Sequence, residues 1–487
     1  MTRQAATVQH NRRWRILAML GVAQLMVVLD ATIVNIALPS AQRSLGFTED
    51  QRQWVVTAYA LAFGSLLLLG GRMGDLFGRK RALIIGLTGF AGASALAGFA
   101  PSFGVLVAAR ALQGAFGALL APSALSILTT TFTDPVERGR AFGIYGAIAG
   151  GGGALGLLLG GILTEYLDWR STLFVNLVFA IPAAAAAAVL LVNERPATRP
   201  RLDIPGTVTA VGGLFSLVYG LANAETGGWS SPVTIFALAA GAVLLVAFVA
   251  IQRRSKHPLL PLRIVLDRDR GGSLVAMGVT GAGMFGVFLF LTYYLQRTLG
   301  FSPLSTGVAF LPMMAAIMLT ATIVNARVLP RTGPRPLIPT GMVLASAAMV
   351  LLTQIGTDTS YASHVLPELI IMGAGMGLVF APAMATATGG VEPQDAGVAS
   401  AMVSTAQQVG GSIGTALLST FAASAATAYL AGHGLSRATA QAAAVHGYTT
   451  AFWWSAGIFM AGAVASSVLL RPGAQELSPS AQPALAH

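Results

Sequence analysis

The chain has 487 residues, of which 55% are apolar and only 10% are Asp, Glu, Lys or Arg. A soluble globular protein carries roughly 25% charged residues, so a soluble enzyme and a disordered chain are both excluded. The net charge of +11 would suit a nucleic-acid-binding protein if the basic residues formed one polar domain. They instead recur in short clusters between long apolar runs. This pattern predicts an all-α polytopic membrane protein with no nucleic-acid partner.

Fourteen apolar runs are candidates for membrane-spanning helices, because a helix needs about 20 mostly apolar residues to cross the hydrocarbon. They lie at 16–38, 54–71, 82–100, 103–124, 141–163, 172–192, 205–222, 232–251, 273–296, 304–326, 337–355, 365–388, 398–428 and 448–470. The run at 398–428 is too long for one straight span, so we expect part of it to extend beyond the lipid. An even number of spans places both termini on one side of the membrane.

The basic residues predict which side that is, because Lys and Arg concentrate in cytoplasmic loops. With a cytoplasmic N-terminus, 23 of the 29 Lys and Arg residues lie in cytoplasmic segments, five lie in outer segments and Arg110 lies inside a span. The first run follows Arg12, Arg13 and Arg15, but it is too long for a signal peptide and contains Asp30. We therefore expect an uncleaved first helix, cytoplasmic termini and a location in the plasma membrane (the bacterial inner membrane).

The longest polar connections, at 193–204, 252–272 and 429–447, are too short for a catalytic or sensor domain. No phosphate-binding loop of the G-x-x-x-x-G-K-[ST] type is present, so ATP hydrolysis is not expected. The absence of cysteine excludes Cys-ligated zinc, and the six histidines lack the spacing of a metal site. The sequence thus predicts no enzyme, no metal site and no cofactor, and the proton-motive force is the expected energy source.

Two charged residues lie deep inside predicted spans, where a buried charge is costly and usually functional. Asp30 is in the first span, within LMVVLDATIVNIALP, and Arg110 is in the fourth, within VLVAARALQGAFGALLAP. At 1.5 Å rise per residue, each lies about 13 Å from the outer end of its helix, so the two can pair if their helices are neighbours. We predict that Asp30 exchanges protons and that Arg110 competes for its carboxylate. The alternative is a permanent ion pair that only fixes helix packing.

The segment GRMGDLFGRKR at 71–81 follows the second span and is more particular than a simple basic anchor. Its three glycines allow a tight cytoplasmic turn and close helix contact, and Asp75 can pair with Arg79 or Arg81 or cap the next helix. A weaker echo, NARVLPRTGPRP at 325–336, suggests that the chain contains two repeated halves.

The fifth predicted span holds nine glycines within 19 residues. Small residues let helices approach closely, and ordinary packing would explain a few of them. So dense a series predicts a helix that bends or slides against a partner.

Together these residues resemble the major facilitator superfamily, specifically its fourteen-span drug:proton antiporter subfamily, over nearly the whole chain. The first span is similar to the subfamily pattern L-D-x-T-I-V-N-x-A-L-P, and the fourth matches R-x-x-Q-G through Arg110, Gln113 and Gly114. The family arginine is implicated in proton transfer, which implies that role for Arg110. The segment at 71–81 is similar to the superfamily's gating loop. The gating residues that this resemblance implies are Gly71, Asp75, Gly78, Arg79, Lys80 and Arg81.

The fifth span is similar to the exporter pattern G-x8-G-x3-G-P-x2-G-G, with Leu157 in place of the proline. The matching antiporter glycines are Gly143, Gly152, Gly156, Gly160 and Gly161. The exchange of proline for leucine keeps the glycine packing but removes the expected kink. Import therefore remains an alternative to export as the direction of transport.

The resemblance implies the major facilitator fold, in which two six-helix bundles are joined here by two extra central helices. The implied divisions are an N-terminal tail, an N-terminal bundle, the extra helices with their loops, a C-terminal bundle and a C-terminal tail. Their respective bounds are 1–15, 16–192, 193–272, 273–470 and 471–487.

Polar and aromatic side chains within the spans are candidates for substrate contact, although a lone amide more often serves helix packing. The candidates are Asn35, Gln113, Tyr293, Tyr294 and Gln296. Asp30 is the single acid that lies clearly mid-membrane, which suits a neutral or singly charged lipophilic substrate. That substrate, protons and membrane lipids are the expected partners, and the chain is expected to be a monomer.

The sequence thus predicts a proton-coupled antiporter that exports a lipophilic drug, antibiotic or toxic small molecule by alternating access. A proton-coupled importer of a nutrient or metabolite with the same fold is the alternative. A membrane enzyme or receptor is disfavoured because the chain lacks a catalytic cluster and a sensor domain, and a channel would not need paired gating loops.

Overall fold

The computed structural model describes residues 3–47, 49–192, 202–392, 395–433 and 436–472, and their regular structure is helical throughout. The α-helices are α1 Arg3–Leu45, α2 Glu49–Phe77, α3 Arg79–Gly98, α4 Phe103–Thr131, α5 Pro135–Tyr166, α6 Ser171–Leu190, α7 Ile204–Gly227, α8 Pro232–Arg254, α9 Leu262–Leu266, α10 Arg268–Gly286, α11 Pro303–Ile323, α12 Leu329–Thr332, α13 Pro334–Leu352, α14 Tyr361–His364, α15 Leu366–Ala387, α16 Ala396–His433 and α17 Arg437–Leu469. Short π-helical stretches at Val287–Leu291, Tyr294–Thr298 and Val324–Val328 continue α10 and α11.

Thirteen helical segments in the described part of the chain are long and apolar enough to cross a membrane, and each coincides with one predicted span. The remaining predicted span, 141–163, lies within α5, a helix of 32 residues. The long run at 398–428 forms part of α16, whose 38 residues make about 57 Å of helix. That length exceeds the roughly 30 Å of hydrocarbon, as the sequence predicts.

The helices pack in two halves that repeat the same neighbour relations. In the first half α2 and α3 both pack on α4, α1 packs on α5 and α6, and α3 packs on α6. In the second half α11 and α13 both pack on α15, α10 packs on α16 and α17, and α13 packs on α17. These relations correspond one to one, which is the arrangement expected of an internal structural repeat.

The two halves meet along two equivalent helix pairs, α5 with α11 and α2 with α16. The extra helices α7 and α8 pack on each other, and α7 also lies against α2 and α16. An apolar cluster that includes Leu68, Phe248, Leu260 and Val398 joins α2, α8, the segment before α9 and α16. The extra pair therefore lies beside one of the two seams between the halves.

The outer surface of the helices is apolar, as a lipid-facing surface requires. Large side chains such as Val189 on α6, Phe236 on α8 and Val468 on α17 are 82%, 76% and 65% exposed. A soluble protein does not display so many large apolar groups around its perimeter. The structure is accordingly that of a polytopic membrane protein.

The starts of α1, α3 and α16 lie at one end of the molecule, together with the ends of α4 and α6. We call this the basic end. At the opposite end, the loops after α1, α3 and α5 pack around an apolar cluster that contains Phe47, Phe103 and Trp169.

Candidate functional site

Asp30 and Arg110 form an ion pair in the interior of the first half. Asp30, near the middle of α1, is fully buried, and Arg110 on α4 is 1% exposed. One terminal nitrogen of Arg110 (Nη1) donates to Asp30 Oδ2 at 2.6 Å. The prediction from helix depth that the two side chains can meet is confirmed in this structure. Each charge alone would cost several kcal/mol to bury, so each makes the other tolerable.

Amide side chains from two further positions complete the surroundings of the carboxylate. Asp30 Oδ1 accepts from Gln113 Nε2 at 3.0 Å and from Asn176 Nδ2 on α6 at 2.7 Å. Both amides also approach Ser94 Oγ on α3, at 2.7 and 3.3 Å. The carboxylate thus receives one charged and two neutral donors, and both of its oxygens accept hydrogen bonds.

Arg110 is held from the other side by groups of α2 and by its own helix. Its Nε donates to the carbonyl oxygen of Val55 at 3.1 Å, and its Nη1 donates to Gln113 Oε1 at 2.9 Å. The guanidinium carbon lies 4.5 Å from the ring centre of Tyr59, a cation–π distance. These contacts do not involve Asp30, so Arg110 would keep them if the carboxylate lost its charge.

The network contains residues that the sequence did not single out. Ser94, Tyr59 and the Val55 carbonyl were not chosen as site residues. Asn176, which interrupts the apolar run FVNLVF, is visible as a polar residue within a span, but the sequence does not place it beside Asp30. Gln113, proposed as a substrate contact, is fully buried beside Asp30 and belongs to this network. The sequence signal that could have identified Asn176 is a polar residue isolated in an apolar span, because such a group needs a buried hydrogen-bonding partner.

The predicted gating segment is mostly helix and not a turn. α2 continues to Phe77, and only Gly78 separates it from α3. The φ of Gly78 is 94°, a value that only glycine adopts readily. The prediction that all three glycines allow a tight turn is therefore wrong for Gly71 and Gly74. Gly71 serves close helix approach, since a Cβ there would lie 2.5 Å from the carbonyl oxygen of Gly397 on α16.

Asp75 joins the two halves at the basic end. Its Oδ1 accepts from the backbone N–H of Gly397, in the first turn of α16, at 3.1 Å. Asp75 is 9% exposed, and a carboxylate at a helix N-terminus is favoured by the helix dipole. Arg79, one of the partners anticipated from sequence, interacts electrostatically with this carboxylate, and the hydrogen bond with Gly397 crosses to the other half.

The remaining gating candidates serve other contacts. The Lys80 ammonium donates to the carbonyl oxygens of Ala188 and Leu191 at the end of α6, at 2.6 and 2.7 Å. Arg79 lines a cavity at the basic end, and Arg81 is exposed. The segment 71–81 therefore divides into a part that contacts the second half and a part that contacts α6.

A second charge cluster at the basic end includes Arg72, which the sequence did not select. Asp395, just before α16, lies 3.9 Å from Arg72 Nη1 and 2.5 Å from Arg263 Nη2 on α9. Arg263 also lies 3.5 Å from a carboxylate oxygen of Glu392. Burial raises the pKa of Asp395, while Arg263 and Arg72 act to lower it. The loop after the extra helices is thereby tied to the seam between α2 and α16.

We expect Arg263→Gln to loosen the contact between the halves at the basic end. Arg263 is 58% exposed, so its ion pair contributes only about 0.2–1 kcal/mol, at most roughly a fivefold shift in population. The measurement is the distance between spin labels on cysteines placed at Phe77 and Arg331, one in each half. Arg268→Gln is the control, because this exposed arginine at the start of α10 donates to the Val468 carbonyl of the same half. Equal widening in both variants would count against the tie.

Three of the five antiporter glycines lie at the contact between α5 and α1. A Cβ at Gly152 would lie 3.0 Å from Val28, one at Gly160 would lie 3.0 Å from Ile33, and one at Gly156 would overlap the Thr32 hydroxyl. Val28, Thr32 and Ile33 flank Asp30 in sequence, so the packing of α5 fixes the helical turn of α1 that contains Asp30. Gly143 lies instead against the Ala321 carbonyl of α11, and Gly161 is buried. The Leu157 side chain lies outside the described residues.

We expect Gly156→Leu to lower the unfolding temperature of the purified protein. Overpacking a tight helix contact costs about 1–3 kcal/mol, and here it would push α1 away from α5 beside Asp30. Gly92→Leu is the matched control, because a Cβ at Gly92 on α3 meets nothing within 4 Å. If both variants unfold at the same temperature, the close α1–α5 contact does not hold this part of the bundle together.

The remaining substrate-contact candidates lie around the π-helical turns that follow α10. Tyr293 is 36% exposed, and its ring centre lies 4.8 Å from the guanidinium of Arg297. Gln296 is partly exposed. Tyr294 is fully buried, and its hydroxyl donates to the Gly356 carbonyl at 2.9 Å. The Asn35 side chain lies outside the described residues.

Comparison with known proteins agrees with this architecture. The chain is 51% identical to the puromycin resistance protein pur8 of Streptomyces alboniger, over 94% of this chain and 92% of that protein. It is 38% identical to the cephamycin export protein CmcT of Amycolatopsis lactamdurans, over 94% of both. Among solved structures, the human organic anion transporter MFSD10 matches 93% of this chain and 99% of its own with a TM-score of 0.64 at 16% identity.

The family comparison covers most of the chain. The model for the Major Facilitator Superfamily matches residues 20–415, a range that includes the Asp30 network, the gating segment and both seams between the halves. By this match, by its curated relatives and by its repeated helical halves, the chain belongs to the major facilitator superfamily of membrane transporters.

Proposed function

We propose that this protein exports an antibiotic or a similar lipophilic toxic molecule across the bacterial plasma membrane in exchange for protons. The observation that carries the coupling is the Asp30–Arg110 pair, a buried carboxylate within hydrogen-bonding distance of one cation and two amides. The relatives named for puromycin resistance and cephamycin export support the direction of transport. Puromycin is the first compound to test, because the relative at 51% identity carries its name.

The proposed orientation places the basic end in the cytoplasm. Support comes from the 23 of 29 basic residues that fall in segments on that side. At that end Asp75 binds the start of α16, and α5 lies against α15. With this orientation, the contacts describe a transporter that is closed toward the cytoplasm.

The coupling follows from charge balance within the first half. While Asp30 is ionised, Arg110 is neutralised and the five surrounding helices are held by one network. A proton on Asp30 would remove half of the ion pair and leave Arg110 to Val55, Gln113 and Tyr59. The protonated and ionised forms then favour different packings of α1 against α4, and a proton gradient drives the protein between them.

The test uses full-length protein in vesicles that are loaded with acid. Puromycin added outside is expected to accumulate inside as protons leave, which a pH-sensitive dye inside the vesicle reports. Protein that inserts with the basic end outward carries this reaction in the export direction. Puromycin that fails to accumulate, or that leaves the vesicle together with protons, contradicts antiport and favours the importer. Puromycin resistance in cells with and without the gene gives the substrate independently.

A further inference from the structure

A cavity of about 310 Å³ lies at the basic end of the first half, apart from both the Asp30 network and the seams between the halves. It is enclosed by the starts of α1 and α3 and the ends of α4 and α6. Four of its lining residues are basic, namely Arg12, Arg13, Arg79 and Lys80, and none of the lining residues in the described chain is acidic. Such a concentration of positive charge in a concave site requires a reason.

Capping of α6 explains only part of this charge. Arg12 donates to the Leu190 carbonyl from Nε and Nη2, at 3.0 and 2.7 Å, and Lys80 covers the carbonyls of Ala188 and Leu191. A helix C-terminus carries only about half a negative charge. Two of the three Lys80 hydrogens are used in this way, and Arg12 and Lys80 both still line the cavity.

Within the described residues, nearby acids balance only part of the remainder. Arg13 lies 3.4 Å from a carboxylate oxygen of Glu137 at the rim, and Arg79 interacts electrostatically with Asp75. The other two basic residues that line the cavity donate to the α6 carbonyls. The start of α3 adds to the positive side, since its N-cap residue, Gly78, provides no side-chain acceptor for the first N–H groups. The cavity therefore combines cationic side chains with the positive end of a helix dipole.

The cavity lies where α6 leaves the hydrocarbon. Val189 and Val192, beside the capped carbonyls, are 82% and 64% exposed, so this face of α6 meets lipid chains. Arg and Lys whose stems lie along an apolar helix end place their charged groups at headgroup depth. A basic pocket between spanning helices at this depth suits a phosphate group from the membrane.

We propose that this cavity binds the phosphodiester of an anionic phospholipid, with Arg12 and Lys80 as the principal donors. The acyl chains would then lie along the exposed valines of α6. A free inorganic phosphate offers the same oxygen chemistry, but it would not use the apolar surface beside the pocket. The bound lipid would join the starts of α1 and α3 to the end of α6. This inference does not depend on which compound the protein exports.

The experiment measures lipid binding to the full-length protein purified in detergent, by native mass spectrometry and by thermal unfolding. Phosphatidylglycerol is expected to bind and to raise the unfolding temperature, whereas phosphatidylcholine and inorganic phosphate are not. Arg12→Gln and Lys80→Gln should each weaken phosphatidylglycerol binding about fivefold. Arg335→Gln, at an exposed arginine in the first turn of α13 in the second half, should leave binding unchanged.

Thr131→Phe provides a test that removes no charge. Thr131 lines the cavity, so a phenylalanine there fills the space while the α6 caps stay in place. The proposal predicts that this variant folds and loses phosphatidylglycerol binding. Equal binding by Thr131→Phe and the unmodified protein, or an equal effect of phosphatidylcholine, would overturn the site. An equal effect of inorganic phosphate would overturn the lipid as its ligand.

Discussion

Asp30→Asn is expected to abolish transport driven by a pH gradient while leaving the helices assembled. The amide has the size of the carboxylate and its oxygen can still accept from Gln113 or Asn176, but it carries no exchangeable charge. Proton release on addition of substrate to acid-loaded vesicles should fall to the level of vesicles without protein. The comparison variant is Asp168→Asn, an acid 58% exposed at the opposite end, which should transport normally.

The stability of the same variant separates coupling from structure. Asp30→Asn leaves Arg110 buried without its counterion, and losing one partner of a buried pair costs about 3–5 kcal/mol. In the double variant Asp30→Asn/Arg110→Gln no charge is left uncompensated, so the unfolding temperature should recover. Transport should not recover with it. Restored transport in the double variant, or undiminished proton coupling in Asp30→Asn, would mean that the pair only fixes helix packing.

Gly397→Val is expected to prevent the halves from closing at the basic end. A Cβ at Gly397 would overlap the Gly71 carbonyl oxygen and lie 2.6 Å from Asp75 Oδ1, and the rigid helix backbones cannot yield. A steric cost of about 1–3 kcal/mol shifts a two-state population by roughly 5–150-fold. Transport should fall accordingly, because one of the two alternating states is removed.

Spin labels at Phe77 and Arg331 report this change directly, and the chain has no native cysteine to remove first. The distance between the labels should lengthen in Gly397→Val and stay unchanged in Gly92→Val, where the added side chain meets open space. An unchanged distance together with normal transport would show that the Gly71–Gly397 contact does not control the closed state. Reduced transport with an unchanged distance would place the defect elsewhere in the cycle.

Under the proposed mechanism, the two sets of contacts separate proton coupling from the control of access. The Asp30 network lies within one half and involves five of its helices. The contacts of Gly71, Asp75 and Arg72 join that half to the other. Because α5 packs on α1 at Gly156 and on α11 at Gly143, the shift of α1 that we propose on protonation would reach the seam through a single helix. Gly156→Leu tests the first of these contacts.

Charge and periodicity by themselves determined the membrane architecture. A span needs about 20 apolar residues, and the cost of burying charge confines Lys and Arg to its ends. The number of helices and the distribution of the basic residues between the two sides can therefore be predicted from the sequence. The same cost singled out Asp30 and Arg110, and counting residues from the span ends placed them at one depth. These predictions work because each depends on position along one helix.

Relations between helices were decided by the tertiary structure alone. Ser94, Asn176 and Tyr59 join the Asp30 network because α2, α3 and α6 meet around it, and no spacing in the sequence records that meeting. Gly71 was expected to allow a turn and close helix contact, and only the contact is observed. The residue remains in α2 and allows the close approach of α16, since glycine permits either conformation and the neighbouring helix selects one. Asp75 likewise binds Gly397, 322 residues away. A single sequence specifies which groups need partners, and the packing of the two halves decides which partners they receive.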